Sequence, residues 1–363
     1  MWITTEHPAI IFEDTEVGRL KKEIWDASEE EIDKILAEYG IPSPSELGKP
    51  GTYIQTTPRA KLVEERKKND IVLIPVGCTE NHGMHTISGL DTLMVTQICE
   101  AVRRYTAKQG RPVALAWPPL NYGGHPYHHI GMPGTIIVSP EAVRETIISV
   151  MLGLWNDGFR KQIIINNHGH LWLLESALHE FMYRYQLPGI FQILDWHRAV
   201  REFFFPAGRK DFLETYFIHA DEAETSVALL LFPEGMVDMS KAEKAKPEVF
   251  VLAGHFDTSV DDCRRPHRWS EGEGHMAIEL MATPEGVVGD PTRASAQKAK
   301  RPIAAILRYL TLVIDQILET FPPGKVPPVE KVTLRTREEM EPYLKWPEER
   351  GWRPVYALSR KGF

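Results

Sequence analysis

The sequence predicts an α/β protein with a mainly parallel sheet covered on both faces by helices, and three observations carry that prediction. Ile71–Val76 and Gln162–Ile165 are continuous apolar runs, the pattern of strands buried on both faces. Segments with helical apolar spacing alternate with them, at Thr92–Tyr105, Pro140–Leu154 and Leu171–Tyr185. Each apolar run stops at a polar, histidine-bearing turn, and in parallel sheets ligands gather at the carboxyl ends of the strands.

Taken in chain order, the first 60 residues are broken by Pro8, Pro42, Pro44, Pro50 and Pro58. They hold one expected helix, Ser28 to about Tyr39, with Ser28 as cap and Glu31 as its capping-box acid. A charged helix at Lys61–Lys68 precedes the first strand, and Val113–Trp117 is a short apolar run closed by Pro118 and Pro119. Phe191–Leu194 reads as a strand, and Glu222–Phe232 as a helix ended by Pro233 and Gly235. Lys300–Thr320 is a long amphipathic helix, after which Pro322, Pro323, Pro327 and Pro328 lead into a polar tail. The expected organisation is an N-terminal extension over 1–60 that wraps the core, a core domain over 61–320 and a C-terminal tail over 321–363.

Composition narrows the function classes. Of 363 residues, 43% are hydrophobic and 25% charged, the balance of an ordinary globular chain. The 42 basic and 50 acidic residues give a net charge of -8, with no basic run to track a phosphate backbone, so nucleic acid is not an expected partner. No stretch of about 18 apolar residues marks a membrane span, and residues 1–16 lack a signal-peptide pattern, so a cytoplasmic location is expected. Cys78, Cys99 and Cys263 are too few and too irregular for a disulfide framework or a Cys-rich zinc site.

Three constellations carry chemistry. In Gly77-Cys78-Thr79-Glu80-Asn81-His82-Gly83, followed by Asp91, residues two apart in extended backbone share a side. Glu80 and His82 can therefore grip one divalent ion, for which carboxylate plus imidazole is a fair ligand set. The bland alternative is a polar turn with Asp91 capping the helix at Thr92. In Asn166-Asn167-His168-Gly169-His170 two histidines flank a glycine directly after a strand, the alternative being an Asx turn with solvated rings. The third is His219-Ala220-Asp221-Glu222-Ala223-Glu224-Thr225-Ser226. There Glu222 complements the helix dipole, and Glu224 gains meaning beside the other two turns. A bridging Asp with two His and two Glu suffices for two divalent ions that activate water.

These motifs resemble the creatininase family of creatinine amidohydrolases and related formamide hydrolases. Ile74 through Gly83, with His85 and Asp91, looks like the family's opening motif. Met132-Pro133-Gly134-Thr135 resembles its Phe-Pro-Gly-Thr turn, with His129 at a matching place before it. His219 through Ser226 and Gly286 through Thr292 resemble two further motifs, so the likeness spans about residues 60 to 320. The resemblance implies a three-layer α/β/α fold, two divalent ions (Zn²⁺ and/or Mn²⁺), hydrolysis of cyclic amides or formamides, and a homo-oligomer, often a hexamer. It places Glu80, His82, Asp91, His168 and Glu224 on metal-ligand positions, Asp91 bridging, and His219 on the catalytic histidine. Where relatives carry Gly-His-Gly-Gly-Asn, or a Glu two residues after the ligand histidine, this chain has His170. His170 is therefore an additional ligand, a proton shuttle or a substrate contact.

The expected reaction is attack of a metal-activated water on a small-molecule carbonyl, with His219 protonating the leaving atom. Trp172 and Trp196 are candidates for the tryptophans with which creatininases shield a flat ring, beside the commoner role of Trp in a core or interface. The N-terminal extension, the tail and the Asp- and His-rich insertion between Lys244 and His275 exceed a minimal creatininase. They favour an alternative substrate, an oxidised inositol ring opened beside its ketone in the manner of a 3-dehydro-scyllo-inosose. A non-catalytic metal- or sugar-binding protein is the reading of another class, against which His219 beside the acidic motif argues. A nucleotide site is disfavoured, because Glu271-Gly272-Glu273-Gly274 carries acids that repel phosphate.

Overall fold

The computed structural model describes residues 1–116, 119–124, 131–204, 208–209, 211–215, 217, 219–233, 235–245 and 286–361, together with the backbone of 257–258 and 275–276. His129, Cys263, the segment Glu271–Gly274 and most of the insertion after Lys244 lie outside the described residues.

The two apolar runs become β3 (Ile71–Val76) and β5 (Lys161–Asn166), buried at every position because helices cover both faces. With β4 (Ala114–Leu115) and β6 (Ile190–Asp195) they form a four-stranded sheet in the order β4-β3-β5-β6. All its pairings are parallel. Val76 lies opposite Asn166, and Asn166 opposite Asp195, so the three longer strands end level. The turns that follow them therefore open at one edge.

Alternation along the strands divides the core into two layers. Ile71, Leu73, Ile163 and Ile165 face α4 (Leu90–Lys108), α8 (Glu222–Leu231) and α9 (Ala296–Thr320). Val72, Ile74, Val76 and Ile164 face α5 (Pro140–Asn156) and α6 (Leu171–Tyr185). The result is the expected three-layer α/β/α arrangement. Each fully buried aliphatic side chain contributes about 1.5–3 kcal/mol, which makes both layers necessary to stability.

The terminal segments complete the two layers. β1 (Trp2–Thr4) and β2 (Ile11–Glu13) pair antiparallel, and α1 (Glu16–Asp26) and α2 (Glu29–Tyr39) pack on α9. The Ser28–Glu31 capping box forms as expected. Helix α1 was not expected, since its residues are mostly charged. It exists because Thr15 caps it and because Ile24 and Trp25 dock in the first core layer. After α3 (Arg59–Arg66), which matches the charged helix, the next departure is the tail. Its α10 (Val329–Val332) and α11 (Arg337–Leu344) place Val329, Met340 and Tyr343, with Val355 and Leu358, in the second core layer. Those apolar residues are too scattered to form a run, so the tail reads as polar. No helix among the described residues is long and apolar enough to cross a membrane.

Candidate metal centre

Gly77 closes β3 and brings the first site residues together. A side chain on it would place Cβ 2.5 Å from the backbone of Thr92, so glycine is what lets the start of α4 lie against the strand end. This delivers Asp91, in the first turn of α4, to the turn that carries Glu80 and His82. Asp91 is no helix cap: α4 begins at Leu90 behind Gly89, with no side-chain cap bond. His168 enters from the turn after β5, and Glu224 from the first turn of α8, whose cap is Asp221 through a 2.9 Å bond to the Glu224 N–H.

Three groups of buried ligand atoms result: Glu80, Asp91 and His168; His82, Asp91 and Glu224; and Glu80, His82 and His219. Asp91 belongs to the first two and turns a different oxygen to each. Its Oδ1 lies 3.4 Å from His82 Nε2, and its Oδ2 lies 3.2 Å from His168 Nδ1. His82 Nε2 is also 3.6 Å from Glu80 Oε1 and 3.7 Å from Glu224 Oε2, too long for ordinary hydrogen bonds. Separations of about 3.3–3.6 Å are what ligands at 2.0–2.2 Å around a tetrahedral ion show among themselves.

The donor chemistry fits a cation. His82 Nδ1 donates to the Glu80 carbonyl at 3.2 Å, which leaves Nε2 for the carboxylates. Burial, the largest influence on His82, pushes its pKa down, yet Asp91, Glu224 and Glu80 overcome it and hold it up at about 10. His168 is likewise raised well above its usual value, against burial, by Cys78, Glu80 and Asp91. Burial raises Glu224 well above the carboxylate range; His82 opposes this, and Asp91 and Asp221 add to it. Three carboxylates buried side by side call for more positive charge than two imidazoles supply, and a divalent ion supplies it.

His219 and His170 sit differently. His219 Nε2 donates to the Asn81 carbonyl at 2.8 Å, which leaves Nδ1 3.8 Å from Glu80 Oε1, and its ring is tilted 4.5 Å from that of His82. The next residue, Ala220, has φ 48, a left-handed conformation costing about 1–3 kcal/mol in a non-glycine residue. Two contacts enforce it: the Ala220 N–H bonds Glu224 Oε2 at 2.5 Å, and the Val288 N–H bonds the His219 carbonyl at 3.0 Å. His170 is fully buried outside the three groups, its Nε2 3.0 Å from Asn166 Oδ1 and its ring edge-on to His168. Gly123 packs so closely on it that a Cβ there would lie 2.7 Å from the imidazole.

Other residues of the centre carry no ligand signature. Asn81 receives His219 on its carbonyl and bonds the Met132–Thr135 turn through Thr135 Oγ1 and the Pro133 carbonyl. Cys78 lies within hydrogen-bonding reach of His168. Asn167 spans Asp91 and Trp196. All but Trp196 lie inside the two turn motifs, and that adjacency is the signal that could have found them. Glu222 does more than complement a dipole: buried, it accepts the N–H groups of Glu214 and Thr215 and pairs with Lys298, clamping the loop before His219. Trp172 is exposed on α6, whereas Trp196 is buried.

A level edge of parallel strands bearing buried carboxylate–imidazole groups defines an α/β/α metal-binding protein of the hydrolase kind. Residues 56–314 match the family described as Creatininase, creatinine amidohydrolase, and the chain belongs to the creatininase family of hydrolases. It is 44% identical over 309 residues, 85% of this chain and 97% of the relative, to a 3-dehydro-scyllo-inosose hydrolase of Thermotoga maritima (strain ATCC 43589 / DSM 3109 / JCM 10099 / NBRC 100826 / MSB8). It is 26% identical to a creatinine amidohydrolase of Pseudomonas putida, covering 70% of this chain and 90% of that one. Among solved structures, one described as "Creatininase Mn" has a TM-score of 0.55 at 22% identity, with 75% of this chain and 99% of that chain covered, which shows the shared fold.

Proposed function

We propose that this hydrolase opens an oxidised inositol ring, cleaving the carbon–carbon bond beside the ketone to leave a carboxylic acid, with two divalent ions held by Glu80, Asp91 and His168 and by His82, Asp91 and Glu224. The observation that carries the dinuclear reading is Asp91, one oxygen turned to each group. The substrate reading is supported by the 44% identity to the Thermotoga maritima enzyme, whose name states that ketone. Bound at these groups, divalent ions acidify a water and polarise a carbonyl.

The chain's own residues supply the rest. His219 keeps its Nε2 proton on the Asn81 carbonyl and presents Nδ1 to the centre. Nδ1 takes a proton there and delivers it to the departing carbon, so that water adds across the broken bond. The clamp of Glu222 on Glu214 and Thr215, together with the strained Ala220, fixes that ring's approach. The dominant ions are Zn²⁺ or Mn²⁺, by the nitrogen and oxygen donors present. A homo-oligomer is favoured by Tyr122, Ile136 and Ile137, which are exposed on the loops bonded to Thr79. The buried thiols of Cys78 and Cys99, in no disulfide among the described residues, favour the reducing cytoplasm.

The test is a turnover screen of 3-dehydro-scyllo-inosose, creatinine and formamides, with ion content measured on the same protein. The ketone should be opened to an acid, and His219→Asn should keep its ions while losing turnover by about 10²–10⁴-fold. Turnover of an amide alone would overturn the substrate, and loss of ions in His219→Asn would make that residue a ligand.

A further inference from the structure

The residue before His168 makes a contact that joins three elements. Asn167 is buried at the end of β5, with its backbone N–H on the Val76 carbonyl at 3.0 Å. Its side-chain amide donates to Asp91 Oδ1 at 3.3 Å and to the Asp91 carbonyl at 3.4 Å. Its side-chain oxygen accepts the indole N–H of Trp196, which is fully buried at the start of α7 (Trp196–Ala199). An indole N–H can only donate, so Trp196 fixes which end of the Asn167 amide faces Asp91. A flipped amide would set N–H against N–H and oxygen against carboxylate.

We propose that Asn167, locked by Trp196, is a positioning residue that holds the Asp91 carboxylate in its two-sided orientation and sets the affinity of one cation site, that of His82, Asp91 and Glu224. The inference rests on the dinuclear reading above. The asymmetry follows from the atoms: Asn167 bonds Oδ1, the oxygen facing His82, whereas Oδ2 faces His168. A hydrogen bond to a ligand oxygen occupies one lone pair and aims the other, so its loss changes the donor direction of Oδ1 itself and reaches Oδ2 only through the shared carboxylate.

The full-length apoprotein, stripped with a chelator and dialysed, is titrated calorimetrically with Mn²⁺ and, separately, with Zn²⁺. Asn167→Ala should weaken one of the two binding steps about 10–100-fold while the other stays within about threefold. Trp196→Phe, which keeps the amide but releases its orientation, should weaken the same step by less. Equal weakening of both steps, or of neither, overturns the proposal. Melting curves of the apoproteins verify folding, and if Asn167→Ala does not fold, Asn167→Leu fills the space without the bond and is read in the same way. Should wild type bind no ions, or Asp91→Ala still bind two, the dinuclear reading falls and this inference with it. If wild type binds two ions, Asp91→Ala none, and Asn167→Ala matches wild type, this inference alone falls.

Discussion

The two ends of the central sheet both bury charge, and they do so to opposite ends. At the amino edge, Lys161 at the start of β5 bonds Asp70 Oδ1 at 2.5 Å and the Pro322 carbonyl at 3.1 Å, while the Gly324 N–H holds Asp70 Oδ2 at 2.9 Å. Beside them Arg160 donates to the carbonyls of Tyr343, Leu344 and Lys345. Burial pushes Asp70 up and lowers Lys161, and each opposes that shift in the other. At the carboxyl edge, Glu80, Asp91 and Glu224 gather around imidazoles at 3.4–3.7 Å from His82. The first end is closed, because Asp70 is paired with Lys161, the Arg160 guanidinium is met by three backbone carbonyls, and the C-terminal tail is tied down in the process. The second gathers three carboxylates around His82 and His168, a donor set that a cation would complete. Burial of charge therefore says little about function by itself; the balance of partners decides.

Three substitutions test that contrast. Asp91→Ala should have the largest effect, with both ions lost and turnover reduced to background, as read by elemental analysis and assay. One ion retained at full affinity would mean that the carboxylate is not shared. Lys161→Met, at the other end, leaves Asp70 buried without its cation and should cost about 3–5 kcal/mol in urea unfolding, with the ions per folded chain unchanged. Loss of ions in that variant would show that the closed end also shapes the open one. His170→Gly should do least: it removes the bond to Asn166 that steadies the turn and should weaken ion binding about tenfold, the low end for outer partners, with KM unchanged. A raised KM at full ion content would instead place that imidazole against the substrate.

Much of the site was legible because its residues stand in short motifs at strand ends. Strands β3 and β5 read directly from their apolar runs, and Glu80, His82 and His168 read from the turns behind them. The alternatives left open there were removed by placement: Asp91 lies inside α4, and the two histidines after β5 are buried rather than solvated. Helix α1 and the packed tail were illegible, because their apolar residues are few and scattered and gain meaning against surfaces supplied by other elements.

By itself, the sequence determined the layered α/β plan, the edge at which the candidate site gathers and the kinds of candidate ligand side chain there, since periodicity and local spacing encode all three. Tertiary structure alone decided that Asp91 faces two groups, that Asn167 and Trp196 brace it, and that His170 turns inward to Asn166. Those arrangements depend on angles between side chains brought together from distant stretches of chain, and no local pattern of residues specifies such angles.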